Sequence, residues 1–155
     1  MGTEIINVRN IVKAQGTNRM DVFVNYMYVE ANLNNLKKQI KSACDLYSKM
    51  QDKRNNKTRE IKRFNNLIND IKENGFKDDS IIELENASSL KLCDGSHRLA
   101  CCLAFNVDEI SVRLRGDGRY MWDYGLDWFE RNEFSKEEIT FIRNFYNKKR
   151  KELNI

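Results

Sequence analysis

A short stretch in which a strand-like run turns sharply into a helix constrains the fold of this chain most. Residues 89–93 have the composition of a strand, Asp94-Gly95 is a turn, and apolar residues at helical spacing follow directly. A helix that starts so close to a strand leaves its first backbone N–H groups unpaired, at the positive end of the helix dipole. Because the one histidine of the sequence, His97, lies there beside Arg98, we expect an anion site at this turn.

The spacing of apolar residues elsewhere predicts a mixed chain. β-Branched and apolar runs indicate strands over residues 4–12, 80–84, 90–93 and 110–114, and residues 86–89 suit a hairpin between the middle two. Apolar positions three and four apart indicate helices over residues 32–54, 58–74 and 94–106. Ser135 to Glu138 form a capping box that opens a last helix. The predicted fold class is α/β (α+β), a small mixed sheet flanked by helices.

Three further segments are predicted as loops or turns, over residues 15–21, 51–58 and 116–118. The first ends at Asp21, which is placed to cap a short helix. The second is polar throughout and is the best candidate for a mobile connector. Gly75 is expected to close the helix before it in a left-handed conformation. The aromatic residues between Tyr120 and Phe129 favour a core cluster, with a wall for a second substrate as the alternative.

Composition and charge narrow the class of protein. The chain has 155 residues, so one domain over 1–155 is expected. Its 27 basic and 23 acidic residues are well mixed, which argues against a nucleic-acid partner. There is no run of about 18 apolar residues, so we expect no membrane span. The four cysteines lack metal-ligand spacing, and no signal peptide is visible, so we expect reduced thiols and a cytoplasmic location.

The order of elements around the Asp-Gly turn resembles the ParB/sulfiredoxin superfamily. The resemblance lies in a helix that ends in Gly75, strands at 80–84 and 90–93, the motif Asp94-Gly95-Ser96-His97-Arg98, a helix, and a strand at 110–114. It covers roughly residues 60–114. Residues 15–19 look like the family's Gln-Pro-Arg segment without its proline. Residues of about 31–58 look like a helical insertion, and those of about 116–155 like an aromatic and helical C-terminal extension.

Differences within the motif separate the activities of that superfamily. In sulfiredoxins the corresponding motif looks like Gly-Cys-His-Arg. This chain has Ser96 where they have their catalytic cysteine, and a serine cannot replace it. Partition proteins have an arginine where His97 stands and a DNA-binding domain downstream, for which the roughly 40 residues after the last strand leave little room. In the free-serine kinases the motif looks like Asp-Gly-His-His-Arg, and this chain matches it except at Ser96. The resemblance therefore implies a kinase that transfers phosphate from ATP or ADP to the hydroxyl of a small molecule of the sugar or amino-acid type.

The same resemblance implies roles for individual residues. The backbone N–H groups from Gly95 to Arg98 would hold nucleotide phosphates, with the side chains of Ser96, His97, Arg98 and Arg19 around them. Asp94 would bind Mg²⁺ or orient the acceptor hydroxyl. Asp21 would be the catalytic carboxylate, with Glu30 as a second possibility.

Each role has a structural alternative. In these alternatives Asp94-Gly95 forms only a turn between strand and helix, Asp21 only a helix cap, and Arg98 only an ion pair. For the whole chain, two other functions stay open. One is a non-enzymatic regulator that senses nucleotides or associates with DNA, and the other is a nuclease of the same fold.

Overall fold

The computed structural model describes residues 2–54, 59–77, 82–116 and 123–155. A four-stranded mixed sheet has the order β1-β4-β2-β3, with β1 at Thr3–Asn7, β2 at Ile82–Leu84, β3 at Leu92–Asp94 and β4 at Glu109–Leu114. β4 pairs antiparallel with β1 and parallel with β2, and β2 pairs antiparallel with β3. The predicted small mixed sheet is therefore confirmed.

Helices flank this sheet in the described part of the chain. They are α1 Val8–Gln15, α2 Met20–Leu33, α3 Lys37–Lys53, α4 Arg59–Asn74, α5 Ser96–Ala104, α6 Leu126–Arg131 and α7 Lys136–Leu153. α2 is the central one, because it packs against α3, α5 and α7. Its sequence is apolar on nearly every side, as expected for a helix that is surrounded by protein. One hydrophobic core runs through the fold from Val8 to Ile142.

The N-terminal prediction of one strand over residues 4–12 is half wrong. The strand ends at Asn7, and residues 8–15 form α1. The side chain of Asn7 accepts a hydrogen bond from the backbone N–H of Asn10 at 3.3 Å and so caps the helix. Ile11 and Val12 are buried on the inner face of α1. Burial of this stripe outweighs the β propensity of the residues that form it.

Two other boundaries differ from the prediction. The cap of α2 is Arg19, and Asp21 lies inside the first turn, so the expected Asp21 cap is wrong. Residues 32–54 do not form one helix, because α2 runs to Leu33 and α3 starts at Lys37. α3 continues to Lys53, so the predicted connector over 51–58 begins as helix, and its residues 55–58 lie outside the described residues.

Several local predictions are confirmed. Asn86 accepts hydrogen bonds from the backbone N–H groups of Ser88 and Ser89 at 3.0 and 2.8 Å, which closes the hairpin between β2 and β3. Ser135 and Glu138 form the capping box of α7. Gly75 follows α4 with a φ of +78°. Residues 80 and 81, the 117–118 part of the predicted turn, and Tyr120 lie outside the described residues.

The C-terminal aromatic residues pack as the core prediction expects, so far as the described residues reach. Trp128 makes edge-to-face contacts with Tyr124 and Phe129, each with ring centroids 5.0 Å apart. Tyr124 and Phe129 are buried. Within the described ranges, no helix has the length and apolar character needed to cross a membrane.

Candidate functional site

The turn between β3 and α5 has a backbone that only glycine suits. Gly95 has a φ of +109°, and a Cβ atom at this position would lie 3.0 Å from Cγ1 and 3.2 Å from Cα of Ile82. Gly95 is the N-cap of α5, and its carbonyl accepts from the N–H of Leu99 at 2.8 Å. The three N–H groups before Leu99 have no acceptor within the helix. The turn therefore lies at the positive end of the α5 dipole, the end of a helix that favours anions.

A pocket of about 390 Å³ opens onto this turn. One wall consists of all five motif residues, from Asp94 to Arg98, and the other comes from α3 and α4. The residues that α3 and α4 supply are Gln51, Arg54, Arg63, Phe64 and Leu67. The described lining thus carries three arginines and a histidine but one carboxylate, and this excess of basic groups favours an anionic ligand.

His97 is held in place by side chains of α3 and α4. Its Nε2 atom lies 2.7 Å from the hydroxyl oxygen of Tyr47 in α3. The ring of Phe64 in α4 meets the imidazole edge-on, with centroids 4.8 Å apart. Tyr47 is almost fully buried and so has little freedom to move, which means that rotation of the imidazole would break its contact with the Tyr47 hydroxyl. The imidazole is therefore preorganised at the edge of the pocket rather than free to rotate.

Three buried donors of the lining have no hydrogen-bond partner among the described residues. They are Nε of Arg54, Nε of Arg98 and Nε2 of Gln51, whose side chain is 1% exposed. A buried donor without an acceptor lowers the stability of the folded state, and native proteins rarely contain one. All three belong to side chains that line the pocket, so an anion bound there would supply an acceptor for them.

Arg19 and Asp21 form a buried ion pair instead of lining the pocket. Nε and Nη2 of Arg19 donate to the two carboxylate oxygens of Asp21 at 3.0 and 2.8 Å, and Nη1 donates to the carbonyl of Leu92 at 2.9 Å. Burial of the Asp21 carboxyl acts to raise its pKa, but the charge and hydrogen bonds of Arg19, with the charges of Arg54 and His97, together hold the pKa below its ordinary value.

This pair conflicts with two expected roles. Asp21 has no exposed surface, and both of its oxygens already accept from Arg19, so it does not face a substrate hydroxyl as a general base. Arg19 is 5% exposed, and all three of its nitrogens donate to protein, so it does not face a phosphate. The physical reason is the same for both: each neutralises the other inside the fold.

Glu30 is also placed away from the pocket. It lies nine residues after Asp21, which is about 13 Å further along α2. Its carboxylate forms an ion pair with Lys149 of α7, and Lys149 also contacts Glu152 at 2.9 Å. The structure therefore brings residues 94–98 together and leaves both Asp21 and Glu30 elsewhere.

Asp94 is the one carboxylate on the described lining, and its side chain is exposed. No group of three or more histidine, cysteine, aspartate or glutamate side chains that could hold a metal occurs within the described ranges. Mg²⁺ usually takes one or two protein carboxylates and completes its shell with phosphate oxygens and water. Asp94 would supply one such carboxylate at this site.

Sequence reasoning missed the second wall of the pocket. Gln51 and Arg54 fall where the predicted helix over residues 32–54 and the predicted connector over residues 51–58 overlap, and neither was a candidate for the site. One signal was present: the apolar stripe of Ala43, Tyr47 and Met50 continues at helical spacing to position 54.

Comparisons with protein-family models, with curated proteins and with solved structures found no match to this chain. The likeness to the ParB/sulfiredoxin superfamily thus stays a prediction. The functional interpretation rests on the geometry of the pocket.

Proposed function

We propose that this chain binds a nucleotide whose phosphates lie on the turn from Gly95 to Arg98. The observation that carries the proposal is the set of buried, unpartnered donors on side chains that line the pocket, together with the excess of arginine over carboxylate on the described lining. Helix N-termini favour phosphate through their N–H groups and their dipole. Assignment to the ParB/sulfiredoxin superfamily and a cytoplasmic location belong to the same proposal.

The reaction we propose is phosphoryl transfer from ATP or ADP to the hydroxyl of a small molecule. His97 and Arg98 would donate to the phosphate oxygens and offset the charge of the transferring group. With Asp21 occupied by Arg19, Asp94 takes the carboxylate role: it would orient the acceptor hydroxyl and accept its proton, or bind the Mg²⁺ of the nucleotide. The side of the pocket that Phe64 and Leu67 line is apolar and suits the uncharged part of a ligand.

A non-enzymatic nucleotide sensor is the second candidate function. The observation that favours it is the ion pair between Arg19 and Asp21, which leaves one carboxylate on the described lining of the pocket. A nuclease is not favoured, because it needs clustered metal-binding carboxylates, which the described lining does not supply.

Calorimetric titration with ADP and Mg²⁺ tests the binding step. We expect wild-type protein to bind and the variant His97→Ala to bind at least about tenfold more weakly, since a charge-assisted hydrogen bond is lost. Thr140→Ala, on the exposed face of α7, is the matched control and should bind like wild type. Absence of binding by the wild type would overturn the proposal.

Phosphorus NMR of ATP or ADP with a panel of sugars and amino acids that carry hydroxyl groups separates the two candidates. A kinase forms a new phosphate ester, and the variant Asp94→Asn should lose this turnover while it still binds ADP. Binding without turnover across the panel would favour the sensor.

A further inference from the structure

The C-terminal end of α3 carries a pair of side chains that face the α5 turn across the pocket. Nη1 of Arg54 donates to Oε1 of Gln51 at 3.3 Å. This bond uses the acceptor end of the Gln51 amide, so its NH₂ group is left as a donor. The Gln51 Nε2 and Arg54 Nε atoms are both buried without a hydrogen-bond partner among the described residues. The pair therefore presents two unused donors, both on side chains that line the pocket.

Arg54 shares its carboxylate partner, Asp21, with a second arginine. Asp21 forms its close, bidentate pair with Arg19, and Nη1 of Arg54 lies 3.8 Å from the same carboxylate. Two guanidinium groups thus share one carboxylate, and the side chain of Arg54 is only 13% exposed. A poorly solvated cation that lacks full compensation favours the binding of an anion beside it.

The guanidinium of Arg54 is also held from behind by an aromatic ring. Its Cζ atom lies 4.3 Å from the ring centroid of Tyr124. The backbone of Tyr124 is fixed in turn, because its N–H donates to the carbonyl of Asn18 at 2.7 Å and its carbonyl accepts from Met20 at 2.9 Å. Tyr124 and Asp21 therefore hold the guanidinium beside the pocket before any ligand arrives.

We propose that Arg54 binds a phosphate group of the ligand from the side opposite α5, with Gln51 as a second donor and with Asp21 and Tyr124 as positioning residues. This rests on the proposed function, and it gives Asp21 a role other than that of a base. The ligand class that suits donors on two facing walls is a nucleoside di- or triphosphate, in which one phosphate lies on the α5 turn and the next one contacts Arg54.

The test is calorimetric titration with two probes, ADP with Mg²⁺ and inorganic pyrophosphate, against the wild type and four variants. Arg54→Gln should weaken the binding of both probes by roughly 10- to 100-fold, as expected for loss of a hydrogen bond to a charged group. Lys53→Gln removes the same charge one residue earlier, where the side chain pairs with Glu133 outside the pocket. This control should bind like wild type.

The double variant Arg54→Gln with Asp21→Asn measures whether Asp21 acts through Arg54. A positioning role predicts that Asp21→Asn alone weakens binding and that it adds little once Arg54 is gone, whereas an independent structural role predicts additive losses. Circular dichroism checks that Asp21→Asn folds. If it does not, Tyr124→Leu takes its place in the same cycle, with the same expectations.

The outcomes separate this inference from the proposed function. If the wild type binds neither probe, the proposed function and the role of Arg54 are both overturned. If the wild type binds and Arg54→Gln binds as tightly as Lys53→Gln, only the role of Arg54 is overturned. If Arg54→Gln weakens binding but the cycle is additive, Arg54 stands as a phosphate ligand and the positioning role of Asp21 and Tyr124 is overturned.

Discussion

The substitution Gly95→Ala should destabilise the fold far more than glycine-to-alanine changes usually do. At Gly95 the φ of +109° is unfavourable for an L-residue, and the added Cβ would lie 3.0 Å from Cγ1 and 3.2 Å from Cα of Ile82. Ile82 has no exposed surface and sits in β2, which is hydrogen-bonded on both sides. Its backbone therefore cannot move away at low cost.

The magnitude follows from two contributions. The backbone conformation costs an alanine about 1–3 kcal/mol, and forcing an atom into a packed core costs about 1–3 kcal/mol more. We therefore expect a loss of about 2–6 kcal/mol in the free energy of unfolding. Gly75→Ala is the matched control, since Gly75 also has a positive φ, of +78°, but nothing lies within 4 Å of an added Cβ. Only the first contribution applies there.

Urea unfolding followed by circular dichroism measures both variants. The free energy of unfolding of Gly95→Ala should fall below that of Gly75→Ala by about 1–3 kcal/mol, which is the contribution of the contact with Ile82. Adding Ile82→Ala should lower the penalty of Gly95→Ala only in part, because the contact with the Ile82 backbone remains. Equal losses in the two glycine variants would refute the close-approach argument.

Two other predictions concern buried groups. Asp21→Asn should lower the free energy of unfolding by about 3–5 kcal/mol in urea unfolding, since Arg19 would stay buried without its counter-ion. Because the folded-state pKa of Asp21 lies below its ordinary value of 3.8, its stabilisation is complete above that pH and is lost as the pH falls further. Acid titration of stability should show this loss in the wild type and not in Asp21→Asn. Burial raises the pKa of the Cys101 thiol to about 12 and also raises that of Cys102. Iodoacetamide at neutral pH, followed by mass spectrometry, should therefore label the half-buried Cys44 well before either of them; equal labelling in folded protein would contradict the buried placement.

Local signals made the α5 turn predictable. An Asp-Gly pair between a strand and a helix has few conformations open to it, and glycine supplies the one that is found at Gly95. The hairpin at Asn86 and the capping box at Ser135 are equally local, because each depends on hydrogen bonds over two or three residues. Such features are encoded within a few positions of the chain.

The second wall of the pocket could not be predicted in the same way. Tyr47 meets His97 across 50 positions of the sequence, and periodicity does not tell which helix faces which. The pattern Arg19 to Asp21 likewise does not show whether a carboxylate is exposed for catalysis or buried by its neighbour. Only tertiary packing decides that. In the structure Asp21, the candidate base, is part of a buried ion pair with Arg19.

The most direct test of the central claim is a set of backbone amide chemical shifts in nitrogen–proton NMR spectra during titration with ADP and Mg²⁺. If phosphates lie on the α5 turn, the amide signals of Ser96, His97 and Arg98 should move most and saturate together. The first turn of α7 is the internal control, since the N–H of Glu138 already donates to Ser135 and two glutamates in that turn disfavour an anion. Saturable shifts at residues 96–98 with none at the start of α7 are the predicted result. Shifts at neither helix, or equal shifts at both, would contradict the phosphate site.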